Sequence, residues 1–201
     1  DNTTNKVIGD ILFWKIRYHA KKGNYDRVDS IFNECGINEI LSKQADNRKL
    51  VNSLYWFYFE HKENTLPTIK KTLYQHFVDN YQSITKPSIY AILLNSEFQE
   101  ELLGDEDLKN RIADRLLQIV KNNEYINLDI CNDYCVIISL LGKHYDTKYK
   151  DEMKNIYLKV IRYTNYVINN SYDEEDITHA FDMQSYLLEQ DDRFNIIGNN
   201  L

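Results

Sequence analysis

Apolar side chains return at every third or fourth position along almost the whole chain, and the residues that would interrupt that rhythm are scarce. Such spacing lines apolar groups along one face of an α-helix. Six Gly and two Pro in 201 residues fall well under the usual share, and turn-rich β folds need more punctuation than that. The pattern predicts an all-α protein of long helices joined by short connections.

Val7, Ile11, Trp14 and Tyr18 follow an i, i+4, i+7, i+11 pattern, widened by Ile8 and Leu12, and read as a core-facing stripe. Gly23-Asn24 stops that helix. Tyr25, Val28, Ile31 and Phe32 form a shorter stripe ending near Cys35-Gly36, and so brief a break makes an antiparallel hairpin. The run Tyr55-Trp56-Phe57-Tyr58-Phe59 has strand propensity. Leu50/Val51, Leu54/Tyr55 and Tyr58/Phe59 nevertheless recur at helical spacing and predict a helix over 47–61. Thr65 is the expected N-cap of a helix opening at Leu66-Pro67 and carrying Ile69, Leu73, Phe77 and Val78. Lys86-Pro87 opens another, with Ile89, Ile92 and Leu93.

Asp105 is the expected cap of a helix bearing Leu108, Ile112, Leu116 and Ile119, with Glu106 and Asp107 favourable at its positive end. Ile130, Cys131, Tyr134, Cys135, Ile138 and Leu141 form the next seam, closed by Gly142. Met153, Ile156, Tyr157, Val160, Ile161, Thr164, Val167 and Ile168 form the most regular one. Ser171 or Asp173 caps a last helix with Ile177, Ala180, Phe181, Gln184 and Leu188. The pattern yields about nine helices and no strand. A chain of this length suits a single domain, 1–201, and its opening on Asp1 rather than Met reads as a fragment of a longer protein.

Charge and cysteine usage narrow the function. A net charge of −7 opposes direct nucleic-acid binding, which concentrates Lys and Arg. Lys21-Lys22, Lys70-Lys71 and Lys148/Lys150 are scattered solvated pairs. Three cysteines, Cys35, Cys131 and Cys135, make no disulfide framework and suit a reducing, cytoplasmic compartment. No apolar run reaches the roughly 18–20 residues of a membrane span. Cys131-x3-Cys135 sets two thiols one turn apart, with His144 the nearest further metal-ligand candidate, but an apolar stripe around them reads as core. His19, His61, His76, His144 and His179 stand singly and read as surface or hairpin-end residues. Acidic clusters at Glu97/Glu100/Glu101, Asp105-Glu106-Asp107 and Asp173-Glu174-Glu175-Asp176 fall largely at helix starts, where the dipole accounts for them. With no catalytic motif, metal set or cofactor loop, the expectation is a binding module rather than an enzyme, without cofactor. Stacked hairpins present an inner face to an extended peptide or a partner helix. Asn52, Asn95, Asn132 and Tyr134, on or beside helical faces, are the candidate peptide-binding residues, since an Asn amide pairs with a peptide backbone and Tyr offers flat contact area.

Two resemblances sharpen the fold and the partner. His19-Ala20-Lys21-Lys22-Gly23-Asn24-Tyr25 followed by Ile31-Phe32 resembles the small residue, Gly, then Phe layout of tetratricopeptide and pentatricopeptide units, over about thirty residues. It implies antiparallel hairpins stacked as a TPR-like α-α superhelix. The stretch Ile16 to Phe32, the stretch Pro87 to Asn95 leading into Leu102–Leu108, and His179 to Leu188 together resemble the C-terminal repeat domain of Rgg/MutR-type transcription regulators. These patches cover about a third of the chain. Lys86-Pro87 stands where that family usually has a Trp. The resemblance implies a peptide-sensing, dimerising domain whose DNA contact belongs to a helix-turn-helix lying outside this segment. Two alternatives stay open: an interaction scaffold of viral or parasite origin, and an RNA-binding pentatricopeptide-like repeat.

Overall fold

The computed structural model describes residues 2–34, 48–65, 67–123 and 125–198, the side chains of 2–6, 8, 9, 48–53, 68, 146 and 147 excepted. Among them are ten α-helices and no strand, and the protein is all-α. No helix there is long and apolar enough to cross a membrane. The chain divides into two compact units, Asp1–Ile84 and Thr85–Leu201.

The first unit holds α1 (Asn2–Lys21), α2 (Tyr25–Glu34), α3 (Arg48–Glu60) and α4 (Pro67–Asn80). Gly23 ends α1 at φ 71°, a left-handed conformation that costs a glycine little. Its N–H donates to the Ala20 carbonyl and that of Asn24 to His19, both at 2.9 Å, so the last carbonyls of α1 are satisfied as the chain turns back into α2. The ring of Phe32 lies 6.3 Å from Phe57, and Tyr25 lies 5.4 Å from His61. As numbers rise on α2 they fall on α3, so the two run antiparallel, and α1 and α3 run parallel. Tyr55 meets Leu73 and His76 while Lys70 lies over the Tyr58 ring, which sets α4 antiparallel to α3. Two hairpins in register make this a helical-repeat arrangement.

The aromatic run is helical and splits by side. Tyr55, Phe57 and Tyr58 are buried with Leu54, Leu73 and Phe77. The Tyr55 hydroxyl donates to the Leu73 carbonyl at 2.9 Å and lies 3.1 Å from His76 Nδ1. His76 is thus a core residue, where a surface or hairpin-end position was expected. Burial lowers its pKa, against a smaller opposite effect of Asp79.

The second unit holds α5 (Pro87–Leu94), α6 (Gln99–Gly104), α7 (Glu106–Asn122), α8 (Leu128–His144), α9 (Lys150–Asn170) and α10 (Glu174–Phe194). Helix α8 packs against α5, α7, α9 and α10. Its buried set, Cys131, Tyr134, Cys135, Ile137, Ile138, Leu140 and Leu141, runs most of the way round, as a central helix requires. Residues 171–173 turn α10 back antiparallel to α9, and Gln184 of α10 donates to Thr164 Oγ1 and Asn165 Oδ1 of α9, each at 2.9 Å. Gly142 faces Phe194 while Cys135 shares a groove with Met183, so α8 and α10 run parallel. The expected caps form: Asp105 accepts from the Asp107 and Leu108 N–H groups, and Asp173 from Glu175.

Several expectations change. Leu12, Ile16 and Ala20, only 3–5% exposed, are the buried side of α1, while Val7, Ile11, Trp14 and Tyr18 are 51–61% exposed. Helix α6 is not among the expected helices, because six residues complete too few turns to show a period. Thr65 donates its hydroxyl back to the His61 carbonyl at 2.9 Å. Cys35-Gly36, the expected end of the second stripe, and Leu66 lie outside the described residues. Gly142 does not close its helix, which continues to His144. A Cβ there would sit 2.5–2.7 Å from the Phe194 ring, so the glycine is a point of close approach between α8 and α10.

Helix propensity alone makes Gly142→Ala stabilising by about 1 kcal/mol. Overpacking against the ring costs about 1–3 kcal/mol. Urea titration is expected to show a net loss of up to about 2 kcal/mol, and a net gain would mean that the Phe194 ring moves aside freely.

Candidate functional site

Parallel neighbours in a hairpin stack leave a furrow between them, because the antiparallel helix that links them lies to one side. Between α1 and α3 this furrow encloses about 490 Å³, within the range of ligand sites. Ile16, Ala20 and Phe57 form its floor, all buried. Ala20 is small, which keeps the floor low. Phe13 and Trp56 make its aromatic walls, and Arg17, Lys21, Glu60 and His61 stand at its edges. The Arg17 guanidinium lies 6.0 Å from the Phe13 ring centroid, and Trp56 stacks edge-on against Phe59 at 5.6 Å.

His61 is held in place rather than left to swing. The Tyr25 hydroxyl of α2 lies 3.3 Å from its Nδ1, its ring is 5.1 Å from Phe57, and its Nε2 is 3.9 Å from Glu60. The furrow thus offers apolar walls, two cations from the last turns of α1, and a carboxylate with an imidazole at the end of α3. A peptide with one large apolar side chain and a carboxylate matches that set.

A second furrow, of about 400 Å³, lies between α8 and α10, with Asn132, Val136, His179, Asp182 and Tyr186 along it. Of the candidate residues, Asn132 is exposed and lines this furrow. Tyr134 is buried and donates its hydroxyl to the Val120 carbonyl at 3.2 Å, a bond that ties α8 to α7. Asn95 ends α5, donating to the Ala91 carbonyl at 2.7 Å and accepting from Lys143. It joins two helices of the core instead of lining a furrow. Eleven residues separate Asn132 from Lys143, about 16 Å along α8, so Asn95 and Asn132 are not brought together. Asn52 lies in α3, one turn before Trp56; its side chain is outside the described set.

The first furrow's residues were absent from the candidates, although the aromatic run signalled them. Five consecutive helical positions sweep about 400°, so one apolar face cannot hold all five. Trp56 and Phe59 had to point outward.

The two thiols among the described residues are poor ligands or nucleophiles. Burial pushes Cys131 up to about 11 and Cys135 up to about 12, the latter raised further by Cys131. No cluster of three or more metal-ligating side chains occurs among the described residues. His144 is nine residues beyond Cys135, about 13 Å along the same helix, too far to join the pair at one ion.

His144 does titrate informatively. Burial, then Lys143 and Lys109, lower it from 6.5 to about 4. The folded protein takes up this proton near pH 4 and the unfolded chain near 6.5. The stability due to the neutral ring is therefore complete above pH 6.5 and drains away as pH falls to 4. Burial raises Asp29 and Asp133, which act in the opposite sense at the acid end, so a variant must isolate the histidine. Thermal melts between pH 7 and 4 are expected to fall less steeply for His144→Gln than for the parent.

No protein-family model matches the chain, and neither the curated proteins nor the solved structures include a significant match.

Proposed function

We propose that the chain is a peptide- or protein-binding helical-repeat module and that the α1/α3 furrow receives the peptide. The observation that carries this reading is the pairing of the Phe13 and Trp56 walls with the cationic edge of Arg17 and Lys21. An apolar side chain of the ligand lies between the two rings, and a carboxylate of the ligand turns toward the cations. Burial of an aromatic wall supplies affinity, while the charges select orientation. The binding role is a recognition role, not a catalytic one.

The Rgg/MutR-type resemblance fits this proposal as the peptide-sensing part of a cytoplasmic transcription regulator. DNA contact would then belong to a domain outside the segment. In such a regulator, peptide occupancy acts by favouring one of two arrangements through differential affinity.

Calorimetry with short peptides ending in a bulky apolar residue and a free carboxylate tests the furrow. Binding in the micromolar range is expected, weakened about tenfold or more by Trp56→Ala and by Lys21→Glu. Amidating the peptide's carboxylate is expected to cost a similar factor. Binding indifferent to all three changes, or none, removes the proposal. Salt-sensitive binding of a uridine oligonucleotide instead would favour the pentatricopeptide-like alternative.

A further inference from the structure

Helix α1 is apolar on two opposite sides. Leu12, Ile16 and Ala20 are buried against its neighbours, and Val7, Ile11, Trp14 and Tyr18, diametrically across the helix, are more than half exposed. The exposed four fall within about 60° of arc. Their 4-3-4 spacing is that of a heptad seam, the pattern by which one helix packs along another. A single exposed Leu or Phe needs no explanation, but a continuous stripe with two large aromatics does.

We propose that this stripe is the seam of a homodimer in which α1 packs antiparallel on the α1 of a second copy. Three features select that occupant and that direction. An antiparallel two-fold pairing sets Val7 against the partner's Tyr18 and Ile11 against the partner's Trp14, so each layer joins a small side chain to a large one. A parallel pairing would stack Trp on Trp in one layer and Val on Val in another, with unequal spacing between the helices. Charge fits the same direction: Asp10 and Arg17 border the seam on one flank, where the antiparallel pairing brings Asp10 beside the partner's Arg17, twice over. The pairing is isologous, so the two-fold axis closes it at two copies.

The area is adequate for a reversible dimer. The four side chains expose roughly 900 Å² over two copies, and Asp10, Lys15 and Arg17 extend this past the ~1,000 Å² that a specific interface needs. The seam points away from the α1/α3 furrow, with Arg17 at the border between them.

Sedimentation of the whole chain from about 1 to about 200 µM tests the seam. The mass is expected to rise from 24.0 kDa to twice that value. Trp14→Glu is expected to raise the dimer dissociation constant at least tenfold with an unchanged far-UV spectrum, because the side chain is exposed in the monomer. Asp10→Arg and Arg17→Asp each are expected to raise it severalfold, and the double exchange to restore it. A chain that stays monomeric, or a dimer indifferent to Trp14→Glu, overturns the proposal and leaves the stripe to a foreign or adjoining helix. A dimer sensitive to Trp14→Glu but not to Arg17→Asp overturns the antiparallel geometry, since in a parallel pair Asp10 would meet Lys15.

Discussion

A turn of two or three residues leaves a helix little choice but to run back along its predecessor, and much of this molecule follows from that reversal. Gly23 makes the first turn and the residues 171–173 the last. A helix that packs antiparallel to two others makes those two parallel, as α2 does for α1 and α3 and α9 for α8 and α10. Parallel neighbours meet along their flanks and leave a furrow on the side away from the helix that links them. Each unit therefore carries its furrow as a by-product of connectivity. Side-chain size then decides what the furrow is worth. Ala20 deepens one, and the ring of Phe194 over Gly142 closes the α8/α10 pair at its end.

Helix existence was largely legible from periodicity, but which face is buried was not. In α10 the pattern named Ile177, Ala180, Phe181, Gln184 and Leu188, whereas Ala180, Met183, Leu187 and Gln190 are buried and Phe181 and Leu188 are exposed. In α1 the visible stripe is the outer one. A helix with two apolar sides has no single hydrophobic direction, so spacing identifies the helix without identifying its inside. The more polar α7 had less ambiguity: of its expected stripe Ile112, Leu116 and Ile119 are buried, and Leu108, in the first turn, is half-buried.

Polar residues were harder still. Asn95 and Tyr134 looked like recognition chemistry because their side chains can bond a peptide, yet the nearest groups able to use them belong to their own fold. A hydrogen-bonding side chain is satisfied by whichever partner the packing supplies first, and sequence spacing contains no information about partners thirty or fifty residues away. His76 illustrates this, with its bond to Tyr55 across 21 positions. The caps Asp105 and Asp173 were readable because their partners are two or three residues along the chain.

Gln184 grips Thr164 and Asn165 together, and Thr164 is itself buried and donates to Val160 within its own helix at 2.9 Å. Sliding α10 along α9 by a single turn would break both of these bonds, at a cost of about 0.5–1.5 kcal/mol for each, while Thr164 keeps its bond to Val160. Lengthening the connection between the helices is cheap by comparison, since each doubling of a flexible loop costs only about 0.6 kcal/mol. The alignment of the two helices is thus set inside the pair and not by the connection at its end. Extra residues at 171–173 can be accommodated while the helices keep their register, which makes that turn the natural place for descendants of this chain to differ in length.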